Sequence, residues 1–222
     1  MRTYDVGQHE DVKFLTMELV AGEAISSLIQ NGQRPPLPET LRIAEHIARG
    51  LSAAHQAGVV HRDLKPDNVM RCGSNGRIVI TDFGIARLAE GLQSPEELQL
   101  TVNQIIGTPA YMAPEQLVGK PIDGRTDVYA FGTLLCELLT GVLPFRRETV
   151  LATVARLAED APDPREMVPD LPEPVALLTN RALARQREDR PDAETMLQEI
   201  EKLRGAGDRH VRAPAEDAHA HG

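Results

Sequence analysis

The apolar positions change period several times along the chain. Residues 1–20 alternate and are rich in β-forming types on either side of VGQHED, which predicts a hairpin: Thr3–Gly7, a turn, then Lys13–Val20. In GEAISSLIQ the residues Ile25, Leu28 and Ile29 fall at helical spacing. Leu41, Ala44, Ile47, Ala48, Leu51 and His55 mark a longer helix, with Pro38 in its first turn and Gly58 as its stop. Short β-like pieces follow at Val59-Val60, Asn68–Arg71 and Ile78–Ile80, the last two separated by the turn sequence GSNG. From Phe83 to Tyr111 there is no sustained period, and a segment of that length is usually functional or disordered. Asp127–Thr140 is apolar nearly all round and ends at Gly141, with Pro144 beyond, which predicts a buried helix. Further helices are expected at about 148–158, 174–185 and 192–204, and Pro162, Pro164, Pro169, Pro172 and Pro174 keep the stretch before the second of them open. The tail from Gly205 to Gly222 has no apolar period and is expected to be disordered. No internal repeat is visible.

Composition narrows the function classes. The 222 residues are enough for one domain with a substantial core. A formal net charge of -9 argues against a nucleic-acid binder or a partner of anionic membranes, since both reward cations. The longest apolar stretch, AFGTLLCELL, is far short of the roughly 20 residues that span a bilayer, so no membrane span is expected. Cys72 and Cys136 are far apart in a chain without CxxC and read as small reduced hydrophobes. No basic-then-apolar leader follows Met1, and a cytoplasmic location is expected.

The chemistry is concentrated in His61-Arg62-Asp63-Leu64-Lys65-Pro66-Asp67-Asn68. These eight residues hold two cations, two carboxylates and an amide, just after the apolar Val59-Val60. After a strand and a turn comes Asp82-Phe83-Gly84, and further on Ala113-Pro114-Glu115 within GTPAYMAPEQ. Together they fit the set H-R-D-L-x-x-x-N, D-F-G and A-P-E in the right order. With all three, the chain resembles the C-terminal lobe of a protein kinase, and GTPAYMAPEQ resembles the eukaryotic-like serine/threonine kinases of bacteria. The resemblance runs over about residues 3–204. It implies an α+β, protein-kinase-like fold: residues 1–20 a hairpin remnant of the N-lobe with the hinge, residues 21–204 a mostly helical C-lobe, and residues 205–222 a tail.

The resemblance also implies roles, residue by residue. Phosphoryl transfer from ATP is carried by positioning and charge neutralisation, because the phosphoryl group is its own electrophile. Asp63 would orient or accept the proton of a substrate Ser/Thr hydroxyl, and Lys65 would neutralise charge building on the γ-phosphate. Asn68 and Asp82 would supply oxygen ligands to Mg²⁺, which prefers them alongside substrate phosphates. A Lys at position 65 resembles the serine/threonine class more than the tyrosine class. Met17, Glu18 and Val20 match the gatekeeper and hinge, and with Met70 and Asp82 would form the nucleotide site. Arg62 would pair with a phosphate on the long loop, with Thr101 the best acceptor there and Ser94 second. Thr108 resembles the family threonine that bonds near the catalytic pair. Glu115 would pair with Arg190, Asp127 would hold the His61–Asp63 backbone, and His61 and Phe83 would belong to the hydrophobic column between the lobes.

Two parts of the family pattern are not among the 222 residues: the loop G-x-G-x-x-G, and a strand lysine paired with a helix glutamate. Lys13 stands at the start of the hinge strand, too close to be that lysine, and Gly205-Ala206-Gly207 lacks the third glycine. Met1 falls where the family's fourth strand would begin. Three readings follow: a shortened form of an active kinase, a chain completed by an N-lobe or regulator from another protein, or a docking module that transfers no phosphate. The first is favoured, because an abandoned site has no reason to keep Asp63, Lys65, Asn68 and Asp82 together. The expected partner is a protein substrate bearing Ser or Thr.

Overall fold

The computed structural model describes residues 3–9, 12–73, 76–83, 109–145 and 158–211. The chain is α+β, as the sequence predicts. Strands β1 (Thr3–His9) and β2 (Val12–Met17) form an antiparallel hairpin with Val6 opposite Leu15 and Gly7 opposite Phe14. A second sheet holds β3 (Gly22–Ala24), β4 (Val69–Cys72) and β5 (Arg77–Ile80) in that order, antiparallel throughout. Among the described residues five α-helices make up most of the rest: α1 (Leu37–Gln56), α2 (Pro114–Leu117), α3 (Gly124–Thr140), α4 (Glu173–Ala182) and α5 (Ala193–Val211).

The hydrophobic core lies where α1, α3, α4 and α5 meet. Helix α1 starts behind Pro36 with Pro38 in its first turn, positions where a missing N–H costs nothing. It turns Ile43, Ala44, Ile47, Ala48 and Leu51 into the core. Helix α3 is the central rod. Asp123 caps it by accepting the Arg125 N–H at 2.9 Å, and Val128, Phe131, Leu134, Leu135 and Leu138 are buried. Gly141 stops it at φ 77°, donating its N–H to the Glu137 carbonyl at 2.7 Å. A Cβ there would stand 2.5 Å from the Gly32 carbonyl oxygen, so this stop takes no other residue without moving the 30–33 turn. Asp192 caps α5 through the Thr195 N–H at 2.8 Å, and Met196 and Ile200 seat it against the core. Among the described residues no helix is long and apolar enough to cross a membrane.

Three local readings need correction. The GEAISSLIQ segment is not an α-helix: its first residues pair with β4 as β3, and Ile25–Leu28 is a 3-10 turn followed by another at Gln30–Gly32. Nine residues that soon run into Asn31 at φ 59° are too few to repay helix nucleation, and the backbone finds its partners in the sheet instead. Val59-Val60 forms no strand. The tail expected to be disordered from Gly205 is still helical as far as Val211, because the docked α5 carries its hydrogen-bond ladder past the last apolar contact. The helix expected at 148–158 falls almost wholly outside the described residues.

Candidate active site

The loop His61–Asn68 crosses between the C-terminal end of α1 and β4, and its backbone is held from below by one buried carboxylate. Asp127 is 1% exposed in the first turn of α3. Its Oδ2 accepts the His61 N–H and its Oδ1 the Arg62 N–H, each at 2.8 Å. His55, near the end of α1, adds a third donor, its Nε2 lying 2.8 Å from Asp127 Oδ2. Arg62 itself sits at φ 71°, left-handed backbone that costs a non-glycine residue about 1–3 kcal/mol unless its surroundings enforce it. The Asp127 clamp is that enforcement.

His61 is fully buried and fixes the loop from the other side. Its Nδ1 accepts the Asp63 N–H at 3.3 Å, so Nε2 carries the hydrogen and donates to the Thr81 carbonyl at 2.8 Å. Its ring lies 4.7 Å from that of Phe83, tilted by 48°. Loop and Asp-Phe segment are thereby tied together. Thr81 ties them again: its N–H donates to the Asn68 carbonyl at 2.8 Å, and its hydroxyl reaches Asp82 Oδ2 at 3.5 Å.

On this frame the polar side chains converge. Lys65 Nζ lies 2.9 Å from Asp63 Oδ2. Asn68, 6% exposed, donates its amide nitrogen to the Asp63 carbonyl at 2.8 Å and, more weakly, to Asp63 Oδ2 at 3.4 Å. With that nitrogen committed, the Asn68 oxygen is the atom left for a cation. Asp82 is exposed, at φ 55°. Two oxygen donors joined through Thr81, rather than a closed cage, suit Mg²⁺, which keeps waters and phosphates in its shell. No cluster of three His, Cys, Asp or Glu side chains suited to a metal occurs among the described residues.

The remaining residues singled out in the sequence divide between support and absence. Glu115 in α2 and Arg190 form a buried fork, Nη1 to Oε1 at 2.7 Å and Nη2 to Oε2 at 2.9 Å. Burial opposes the charge of Glu115, but the Arg190 guanidinium outweighs it and holds the carboxyl below its usual range. Met70 lies on β4 opposite Ala24 and Val79. Met17 ends β2, and Glu18 and Val20 follow in the connection to β3, Glu18 exposed. Thr101, Thr108 and Ser94 lie outside the described residues.

Four features were not foreseen. His55 occupies the apolar stripe of α1, and a polar ring on a buried stripe is a signal that it has a partner. Gly124 gives that ring its room: a Cβ there would stand 2.6 Å from His55 Nδ1. Because Asp127 fixes the ring, we expect Gly124→Ala to cost about 1–3 kcal/mol in urea unfolding. Gln116, just after the A-P-E triplet, bridges α2 and the loop. Tyr111 donates its hydroxyl to Glu137 of α3. Burial and then Glu137 push that phenol far above its ordinary range, so it remains a donor. Burial likewise raises Glu137, the Tyr111 bond opposing and Asp67 adding to the shift.

The sign of the resulting pH dependence is fixed. A carboxyl raised in the folded state stabilises it below the ordinary value of 4.5, and that contribution is lost as pH rises through the folded value. Stability from this site should therefore fall as pH rises above 4.5, and Glu137→Gln should remove the slope. Tyr111→Phe strips Glu137 of its donor and should cost about 1–3 kcal/mol.

A helical body thus carries an Asp–Lys–Asn loop, its backbone clamped by a buried aspartate and its flank braced by a buried Glu–Arg fork. The protein kinase domain model matches residues 1–200, and the chain belongs to that family. It is 34% identical over 203 residues to a probable serine/threonine-protein kinase of Clostridium acetobutylicum, covering 90% of this chain and 30% of the relative. Against the serine/threonine-protein kinase pkn3 of Myxococcus xanthus it is 36% identical, covering 97% of this chain and 41% of the relative. Among solved structures it is similar to the PknI kinase domain of Mycobacterium tuberculosis, with a TM-score of 0.68 and 26% identity over 90% of this chain and 70% of that one. The chain thus spans well under half the length of these two curated relatives.

Proposed function

We propose that this chain carries the catalytic lobe of a serine/threonine protein kinase, moving the γ-phosphoryl group of ATP to Ser or Thr hydroxyls of a protein. The observation that carries the reading is the Asp63–Lys65–Asn68 cluster on its clamped loop. In the proposed step Asp63 orients the acceptor hydroxyl and takes its proton as the oxygen bonds to the γ-phosphorus. The bond from that phosphorus to the bridging oxygen breaks, and ADP leaves with the electron pair. Lys65 turns from Asp63 to the charge on the transferring group. Asn68 and Asp82 would hold Mg²⁺, which when bound supplies charge neutralisation to the phosphates. Glu18 and Val20 would offer backbone groups to adenine beside Met17 and Met70, Arg62 would receive a phosphate on Thr101, and the site would work in the cytoplasm, where ATP is plentiful.

The experiment joins an N-lobe segment carrying G-x-G-x-x-G and a strand lysine ahead of Met1 and follows labelled γ-phosphate onto Ser, Thr and Tyr peptides. Transfer to Ser and Thr is expected. Transfer to tyrosine alone, or none from a folded protein that binds Mg-ATP, overturns the reading. A second reading is a docking module that transfers no phosphate. It predicts that this chain captures a protein substrate while the extended protein stays inert.

A further inference from the structure

The peptide unit joining Arg62 to Asp63 is held at both ends, and the hold at its carbonyl end comes from a residue outside the catalytic loop. Its N–H donates to His61 Nδ1 at 3.3 Å, a long bond. Its C=O accepts the Nε2 hydrogen of Gln116 at 2.9 Å. Gln116 is itself oriented, because its Oε1 accepts the Ala113 N–H at 2.9 Å. Asp127 accounts for the two preceding N–H groups and reaches no further. Arg62 meanwhile sits in left-handed backbone, so the peptide that follows it has a cheap route to rotate away.

We infer that Gln116 is a positioning residue for phosphoryl transfer: its amide locks the Arg62–Asp63 peptide and so aims the Asp63 carboxylate. The inference rests on the functional reading above for its consequence in rate, but not for its geometry. An amide is required because the position must accept from Ala113 and donate to Arg62 at once. Glutamate can do both only when protonated. Ionised, it brings an oxygen rather than a donor to the Arg62 carbonyl. Leucine does neither. The same bridge ties Ala113, two residues after the Pro109–Tyr111 turn, to the catalytic loop.

The test has two arms. Amide exchange by NMR on the 222-residue chain reads the lock directly. In Gln116→Leu the Asp63 amide should exchange at least about 10-fold faster, while those of His61 and Arg62, held by Asp127, stay as in the wild type. In Gln116→Glu the Asp63 rate, taken relative to wild type at each pH, should return toward unity as pH falls through the carboxyl range. The second arm is kinetic, on the protein extended with the N-lobe segment. Gln116→Leu should lower kcat about 10- to 100-fold with KM for ATP within about twofold, as misaimed catalytic groups do. Unchanged Asp63 exchange overturns the inference, and so does equal loosening of His61, Arg62 and the α2 amides, which would mark a scaffold residue only. Inert wild-type extended protein counts against the kinase reading alone, since the exchange arm still decides the lock.

Discussion

Asp63→Asn is expected to lower phosphoryl transfer by the extended protein about 10²- to 10⁴-fold, the range a positioned acid–base group contributes, and to leave folding intact. The two effects separate because of how Asp63 is held. Its side chain is 54% exposed, so its polar atoms are not being stripped of water, and a substitution there should change stability by less than about 0.5 kcal/mol. Asn68 grips the backbone carbonyl of Asp63 at 2.8 Å, and that bond survives the change. What disappears is the negative charge beside Lys65 and, in the proposed step, the proton acceptor. KM for ATP should move little, since Asn68 and Asp82 are untouched. Single-turnover phosphate transfer and a thermal melt of the same sample check both halves. A variant that melts like the wild type and still transfers phosphate at the wild-type rate would remove Asp63 from the reaction.

Arg190→Ala should be the most damaging single change to the fold. The guanidinium is 0% exposed at its side chain and makes five hydrogen bonds: two to Glu115 and one each to the carbonyls of Ala184, Arg125 and Arg185. It also stacks over the Tyr129 ring at 4.8 Å. Removing it strands a buried carboxylate and three carbonyls at once. Breaking such a pair costs about 3–5 kcal/mol, a large share of the roughly 5–15 kcal/mol that holds a domain together. Chemical denaturation at pH 7 measures it. Pairing Arg190→Met with Glu115→Gln should recover part of the loss, because the stranded charge rather than the absent bond dominates it. The pH response follows from the same pair. The Glu115 carboxyl is lowered in the folded state, so its contribution is present above 4.5 and is lost as pH falls through the folded value. In Arg190→Ala that acid sensitivity should disappear.

The sequence spoke most clearly where a residue type has one physical use. Gly141 after an all-apolar run could only end a buried helix, and α3 stops there. His61–Asn68, Asp82-Phe83 and Ala113–Glu115 carried the resemblance because their order is hard to meet by accident, and the family match covers them all. Ile25, Leu28 and Ile29 misled because helical spacing over five residues does not show whether the backbone will find its partners locally or in a sheet. Gly205 misled in the other direction, since α5 continues on the strength of the turns behind it. Gln116 left no signal at all. A glutamine on a four-residue helix is unremarkable until the Arg62 carbonyl is found opposite it. His55 stood in plain view on the α1 stripe, but its partner Asp127 lies 72 positions away, and one chain gives no measure of that distance.

The pairing of α1 with α5 has a consequence for the protein's birth. Glu45 meets Arg204, and Arg49 reaches Glu201 at 2.9 Å, across more than 150 positions of sequence. The part of the α1 face that packs on α5 therefore has no lasting cover until the segment around Met196 and Ile200 leaves the ribosome. At about 5–20 residues per second, that interval is roughly seven to thirty seconds. Throughout it the nascent chain shows that stretch of apolar surface, so chaperone dependence during translation should be high. A ribosome stalled near Pro191 would release a product that aggregates rather than folds.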